Sequence, residues 1–85
     1  MTDTDILVLR KMLKVLLDIG PIGLEEEALK EQAELAAGVL LTSAEKDLAC
    51  RTLKDRKWIG SARNPLTGRV RWSLTEDGKV AYAGL

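Results

Sequence analysis

Residues 63–74 read RNPLTGRVRWSL and place Arg63, Arg69 and Arg71 around one Pro/Gly turn between two strand-like runs. A hairpin needs the turn but not the arginines. Cations carried on a hairpin tip are suited to follow a phosphate backbone, or to enter a narrow A·T minor groove beside it. A second group of cations lies just upstream, in TSAEKDLACRTLKDRK (residues 42–57). On a helical wheel, Leu48, Ala49, Thr52 and Leu53 form the buried side of this segment. Asp47, Cys50, Arg51, Lys54 and Lys57, flanked by Lys46, form the exposed side. Lys and Arg can pair with guanine edges and Asp can accept from cytosine, so this face has the chemistry of base readout. The competing reading is that the bases are ordinary solvated surface, with Arg69 and Arg71 only the outward half of an alternating strand.

Totals alone do not favour an anionic partner, because 13 basic and 13 acidic residues cancel. The distribution does. Residues 43–72 carry eight basic and three acidic side chains, a net of +5, whereas residues 1–42 carry four basic and eight acidic, a net of −4. Such asymmetry between halves hints at a charged partner for one of them.

Enzyme chemistry is not expected. With no histidine, Ser-His and Cys-His nucleophile pairs and histidine metal sites are excluded. The carboxylates of residues 24–37 are spread along a solvated face rather than paired in an apolar pocket. No cofactor and no metal site is expected, since phosphate-binding Gly loops and zinc-type Cys pairs are absent from the sequence. The single cysteine cannot form an internal disulfide, so a reducing, cytoplasmic setting is expected. The N-terminal segment does not read as a signal peptide, and no apolar run reaches membrane-spanning length.

The elements that must position these charges follow from periodicity. Eighty-five residues make a single domain, residues 1–85, whose aromatic-poor core is built mainly from Leu, Ile, Val and Ala. TDILVLRKMLKVLLDIG opens with Thr and Asp as capping signals and stops at Gly20-Pro21. Arg10, Lys11, Lys14 and Asp18 share one narrow arc of this helix, leaving an apolar sector of roughly 200° where about 100° suffices for a one-sided helix. The excess fits a homodimer seam through Val8, Met12, Val15 and Ile19, or a central helix buried within one subunit. PIG (21–23) offers a single strand rung. LEEEALKEQAELAAG forms a second helix, with Leu24, Ala28, Leu29, Ala33, Leu35 and Ala36 on one face and Glu26, Glu27, Lys30, Glu31 and Glu34 on the other. Thr42 with Glu45 is a capping box for the third helix. WIGSAR and RVRWSL are strands, NPLTG joins them, and Thr75 caps a short C-terminal helix. A lone hairpin is marginal in water, so Trp58, Ile59, Trp72 and Leu74 must pack it on the helices.

The fold class is therefore α+β and mostly α: three helices, a small β-hairpin wing and a short C-terminal helix, the order of a winged helix-turn-helix. In that architecture the second helix of the helix-turn-helix enters the major groove. By position it would present Ser43, Lys46, Asp47, Cys50 and Arg51 to base edges, with Lys54 and Lys57 on phosphates and Arg63, Arg69 and Arg71 on the wing. Double-stranded DNA is the expected partner, and no membrane is. Cys50 on the reading face would be a point where oxidation blocks DNA, unless it is simply a small half-buried residue. The alternative function is a protein-interaction module, docking through the first helix or the acidic face of the second.

The stretch LACRTLKDRKWIGSARNPLTGRVRWSLTEDGK resembles the third helix and wing of MarR-like winged-helix regulators. The matching pieces are Leu53, Trp58-Ile59, the turn through Gly68-Arg69, Leu74-Thr75 and Gly78. The likeness covers about the last half of the chain and implies DNA binding, transcriptional regulation and a prokaryotic or phage setting. It departs from the family at Lys57, where Gly is common, at Pro65 and Thr67, where acids are frequent, and in lacking the longer terminal helices.

Overall fold

The computed structural model describes residues 3–84. Seven elements follow in order: α1 (Asp3–Ile19), β1 (Leu24–Glu25), α2 (Glu26–Ala37), α3 (Ser43–Asp55), β2 (Ile59–Arg63), β3 (Val70–Leu74) and α4 (Glu76–Gly84). The strands form one antiparallel sheet in the order β1-β3-β2. Helix α1 is already helical at Asp3, one residue before the Thr4–Asp5 pair expected to cap it, and it stops before Gly20 as the sequence predicts. The strand rung expected at 21–23 lies instead at Leu24–Glu25, pairing Leu24 with Trp72 and Glu25 with Arg71. Residues 21 and 22 form the turn that precedes it.

The core is aliphatic. Met12, Leu13, Leu16, Leu29 and Leu53 are fully buried, joined by Val8, Leu9, Ala33, Ala49, Cys50, Ile59 and Trp72. Five of these come from α1, at positions 8, 9, 12, 13 and 16, one stripe of a helix whose apolar face meets its own domain. That placement corrects the dimer seam drawn from the wheel. Val8 and Met12 are consumed by the core of their own chain, Val15 is half-buried, and only Ile19 stays exposed. The remaining apolar excess of α1 emerges elsewhere, at Ile6, Leu7 and Leu17, each more than a third exposed.

The hairpin packs as its alternation requires. Trp72 and Ile59 are buried, and Trp58, Val70 and Leu74 rest against the same core. The Arg56 guanidinium lies 5.0 Å from the Trp58 ring centroid and covers its outer face. Thr75 explains the LT…G pattern. Its hydroxyl accepts from the Gly78 amide (3.0 Å), capping α4, and donates to the Lys57 carbonyl (2.6 Å), tying the end of α3 to the end of the wing. At Gly78 any Cβ would collide with the Trp58 carbonyl, and at Gly23 (φ +71°) with the Trp72 carbonyl. Both positions are places where two backbones meet too closely for a side chain.

Candidate nucleic-acid interface

Helix α3 begins with the expected capping box: the Thr42 hydroxyl accepts from the Glu45 amide (3.1 Å), and the Glu45 carboxylate accepts from the Thr42 amide (2.9 Å). It ends with Lys57 in the left-handed region (φ +63°), where the Trp58 amide donates to the Leu53 carbonyl (3.0 Å) and the Lys57 amide to the Lys54 carbonyl (2.9 Å). This is a Schellman closure, whose left-handed residue is usually glycine. The Lys57 position is thus where the chain differs from the family pattern at a backbone cost.

The face that α3 buries is not the one the wheel suggested. Lys46, Ala49, Cys50 and Leu53 point inward, whereas Leu48 is 61% exposed. The helix is rotated by a little under the ~100° that separates neighbouring residues, and two reading-face residues are corrected by that rotation. Lys46 is buried, its ammonium 3.2 Å from Glu26, 3.2 Å from Glu27 and 3.4 Å from Asp47. The Glu27 hydrogen bond leads in holding its pKa above the ordinary lysine range, against the desolvation that opposes it. Such an ammonium is committed to the protein and is not a base-reading group. Cys50 is buried too. Burial pushes its thiol up to about 12, with Glu26 and Asp47 adding and Lys46 opposing. A thiol that stays protonated does not have the exposed, low-pKa character of a redox sensor, and the oxidation reading is withdrawn.

What remains on the outer face of α3 is a stripe of Ser43, Asp47, Arg51 and Lys54, all exposed and spaced at helical intervals of four, four and three. Among the described residues, Arg51, Lys54, Lys57 and Arg63 form no ion pair, so their charges are free for a ligand.

The wing tip is built by Asn64. Its side-chain oxygen accepts from the Leu66 amide (2.8 Å) and the Thr67 amide (3.4 Å), and its backbone N–H and C=O bond Arg69 and Gly68. This local closure is what Asn contributes to turns. It fixes Arg63 and Arg69 on opposite sides of the loop, with Arg63 paired across the ladder to Val70. Arg69 and Arg71 do not stand free. Glu25 on β1 lies 3.2 Å from Arg69 and 4.0 Å from Arg71, and Arg71 also donates to the Gly23 carbonyl (3.1 Å). Both ion pairs are well exposed, the class worth no more than about 1 kcal/mol. Two guanidinium charges on one carboxylate leave the wing positive, and a phosphate could displace the acid.

No protein-family model and no curated protein sequence matches the chain. Solved structures do. The PcaV transcriptional regulator from Streptomyces coelicolor, solved with its natural ligand, superposes with a TM-score of 0.70 at 20% identity, over 88% of this chain and 48% of its own. TA0346 from Thermoplasma acidophilum, named as a transcriptional regulator, superposes with a TM-score of 0.74 at 20% identity, over 94% of this chain and 75% of its own. The chain has the winged-helix fold of these regulators. It spans about half the length of PcaV.

In winged-helix terms, α2 and α3 form the helix-turn-helix, β2–β3 the wing, and β1 the third strand at the wing's base. Sequence reasoning missed the residues that tie these parts together. Glu26 and Glu27 were assigned to the solvated face and Glu25 to no role, yet these three supply every ion pair made by Lys46, Arg69 and Arg71 except that with Asp47. Glu34, also assigned to the solvated face, accepts from the Leu41 amide (2.7 Å) and holds the turn between α2 and α3. Leu35 and Ala36, assigned to the buried face of α2, are exposed. The one usable signal was the crowding of acids immediately before and within the first turn of α2.

Proposed function

We propose that this chain binds double-stranded DNA and acts in transcriptional regulation, with α3 in the major groove and the wing on the flanking backbone or minor groove. The observation that carries the reading is the exposed α3 stripe: among the described residues Arg51 and Lys54 form no ion pair, and α3 is the second helix of the helix-turn-helix, the helix such folds use on the major groove. Asp47 and Arg51, near the N-terminal half of α3, are the groups to meet base edges, and Ser43 can bond either a base or a phosphate. Lys54, Lys57, Arg63, Arg69 and Arg71 suit phosphates, which set register without reading sequence. Non-enzymatic action agrees with the regulator names of both structural neighbours. No helix among the described residues is long and apolar enough to cross a membrane.

A homodimer belongs to the same proposal, through the α1 residues left exposed, Ile6, Leu17 and Ile19. A protein-interaction module is the second reading, favoured by Leu35 and Leu40, 77% and 88% exposed beside Glu31 at the α2–α3 turn.

The test is a salt titration of binding to random duplex DNA by the wild type and by Arg69→Ala/Arg71→Ala. Affinity falling steeply with salt, and a slope shallower by about one unit per lost phosphate contact in the variant, is the expected result. Failure of the wild type to bind at low salt overturns the proposal and turns the search to a protein partner.

A further inference from the structure

We infer that Glu26 is a positioning residue whose carboxylate couples the wing to the reading helix, one oxygen accepting the Trp72 indole N–H and the other the Lys46 ammonium. The geometry stands by itself; its consequence for binding rests on the DNA reading above.

Glu26 opens α2 immediately after β1, so it sits between the sheet and the helix-turn-helix. Its Oε1 is 3.2 Å from Trp72 Nε1 on β3, and its Oε2 is 3.2 Å from Lys46 Nζ on α3. Both partners are buried. Charge balance does not explain the arrangement, because Glu27 and Asp47 already neutralise Lys46. Glu26 differs from those two in having its second oxygen committed to the wing strand. An indole could fill the same space against the core without a charged acceptor. Buried charged groups contribute little net stability relative to apolar replacements, but they restrict which arrangement is allowed.

The restriction falls where two binding elements must be held in register. If α3 and the wing touch one duplex together, the second contact forms at an effective concentration set by how narrowly the two are held relative to each other. Glu26 joins them through two hydrogen bonds and one side chain, so wing contacts follow helix contacts without a further ordering cost.

Two substitutions break the bridge in different ways. Glu26→Gln has a single acceptor oxygen, so it can accept from the Trp72 indole or from Lys46 but not from both, and Lys46 stays paired to Glu27 and Asp47. Trp72→Phe removes the indole donor and leaves the Lys46 pair intact. Amide hydrogen exchange is then followed in β2–β3 and, as an internal reference, in α1 and α2. A substitution that only weakens the fold speeds both regions alike. Loss of the bridge speeds β2–β3 selectively, by about ten-fold, the scale of one charge-assisted hydrogen bond.

Selective acceleration in both variants is the expected result; uniform acceleration, or none, in either variant overturns the bridge. On random duplex DNA, Glu26→Gln should shift the salt slope toward that of Arg69→Ala/Arg71→Ala. An unchanged slope despite selective exchange overturns the coupling to DNA contacts. A wild type that binds no DNA removes the DNA reading, while the exchange measurement still decides the bridge.

Discussion

Cys50 makes a quantitative demand on the stability of the domain. The thiol is 3% exposed on the inner face of α3, and burial, with Glu26 and Asp47 nearby, moves it from an ordinary 9.0 to about 12. In the unfolded chain it ionises at its ordinary value, so between these two values the folded state holds a proton that the unfolded state has released. The raised folded value means that stability is fully present below about pH 9 and is lost as pH rises toward 12. Each unit is worth about 1.4 kcal/mol. At pH 10 the loss is therefore about 1.4 kcal/mol, a sizeable part of the roughly 5–15 kcal/mol that holds a domain together. Lys46 and Lys14 are also raised and act in the same direction, but only above the ordinary lysine value near 10.4. Working at or below pH 10 isolates the thiol. Urea unfolding of wild type and Cys50→Ala, followed by tryptophan fluorescence at pH 7, 8.5, 9.5 and 10, measures it directly. The substitution itself lowers stability at pH 7 by deleting a buried sulfur, so the quantity to compare is the slope with pH. Wild type should lose stability above pH 9 while Cys50→Ala stays flatter, and alkylation of the native thiol should be slow throughout. Parallel pH profiles, or rapid alkylation near pH 8, would refute the reasoning.

Three further outcomes follow from particular contacts. Lys57→Gly relieves a left-handed lysine at the end of α3 and should stabilise the domain by about 1 kcal/mol, raising the melting temperature by several degrees; a fall in melting temperature would contradict it. Leu53→Ala empties a fully buried site between α3 and the core and should cost about 2–5 kcal/mol in urea unfolding, so a loss under 1 kcal/mol would mean that the site is loosely packed. Glu25→Gln releases the exposed Arg69 and Arg71 pairs and should tighten binding to duplex DNA at low salt by roughly three-fold, on the scale of one surface pair. Weaker binding would show instead that Glu25 holds the arginines in their working position.

Much of the local structure was legible in the chain itself. Thr42 and Glu45 announced the start of α3, Gly20-Pro21 the end of α1, and the alternation of Val70, Trp72 and Leu74 the inward face of β3. The reason is that caps, turns and strand alternation are satisfied by atoms a few residues apart. The Asn64 loop and the Thr75 cap belong to the same class, since their short hydrogen bonds lie within their own turns.

The rotation of α3 was decided only in three dimensions. Ala49 and Leu53 belong to the buried side on either reading. The adjoining strip assigned from the wheel is Leu48 with Thr52; on the other flank of Ala49 and Leu53 lie Lys46 and Cys50. Hydrophobicity favours the first. The fold chose the second, because α2 brings Glu26 and Glu27 to within 3.2 Å of Lys46 across 20 and 19 residues of sequence, and a lysine with three carboxylates can be buried where a lone lysine cannot. The same holds for β1, two residues paired to a strand 46 or more positions away, and for Glu25, whose link to Arg69 spans 44. The sequence by itself determined the winged-helix order of elements and the charges carried by α3 and the wing. Tertiary structure alone decided which of those charges face outward, since that depends on partners that only the folded chain brings within reach.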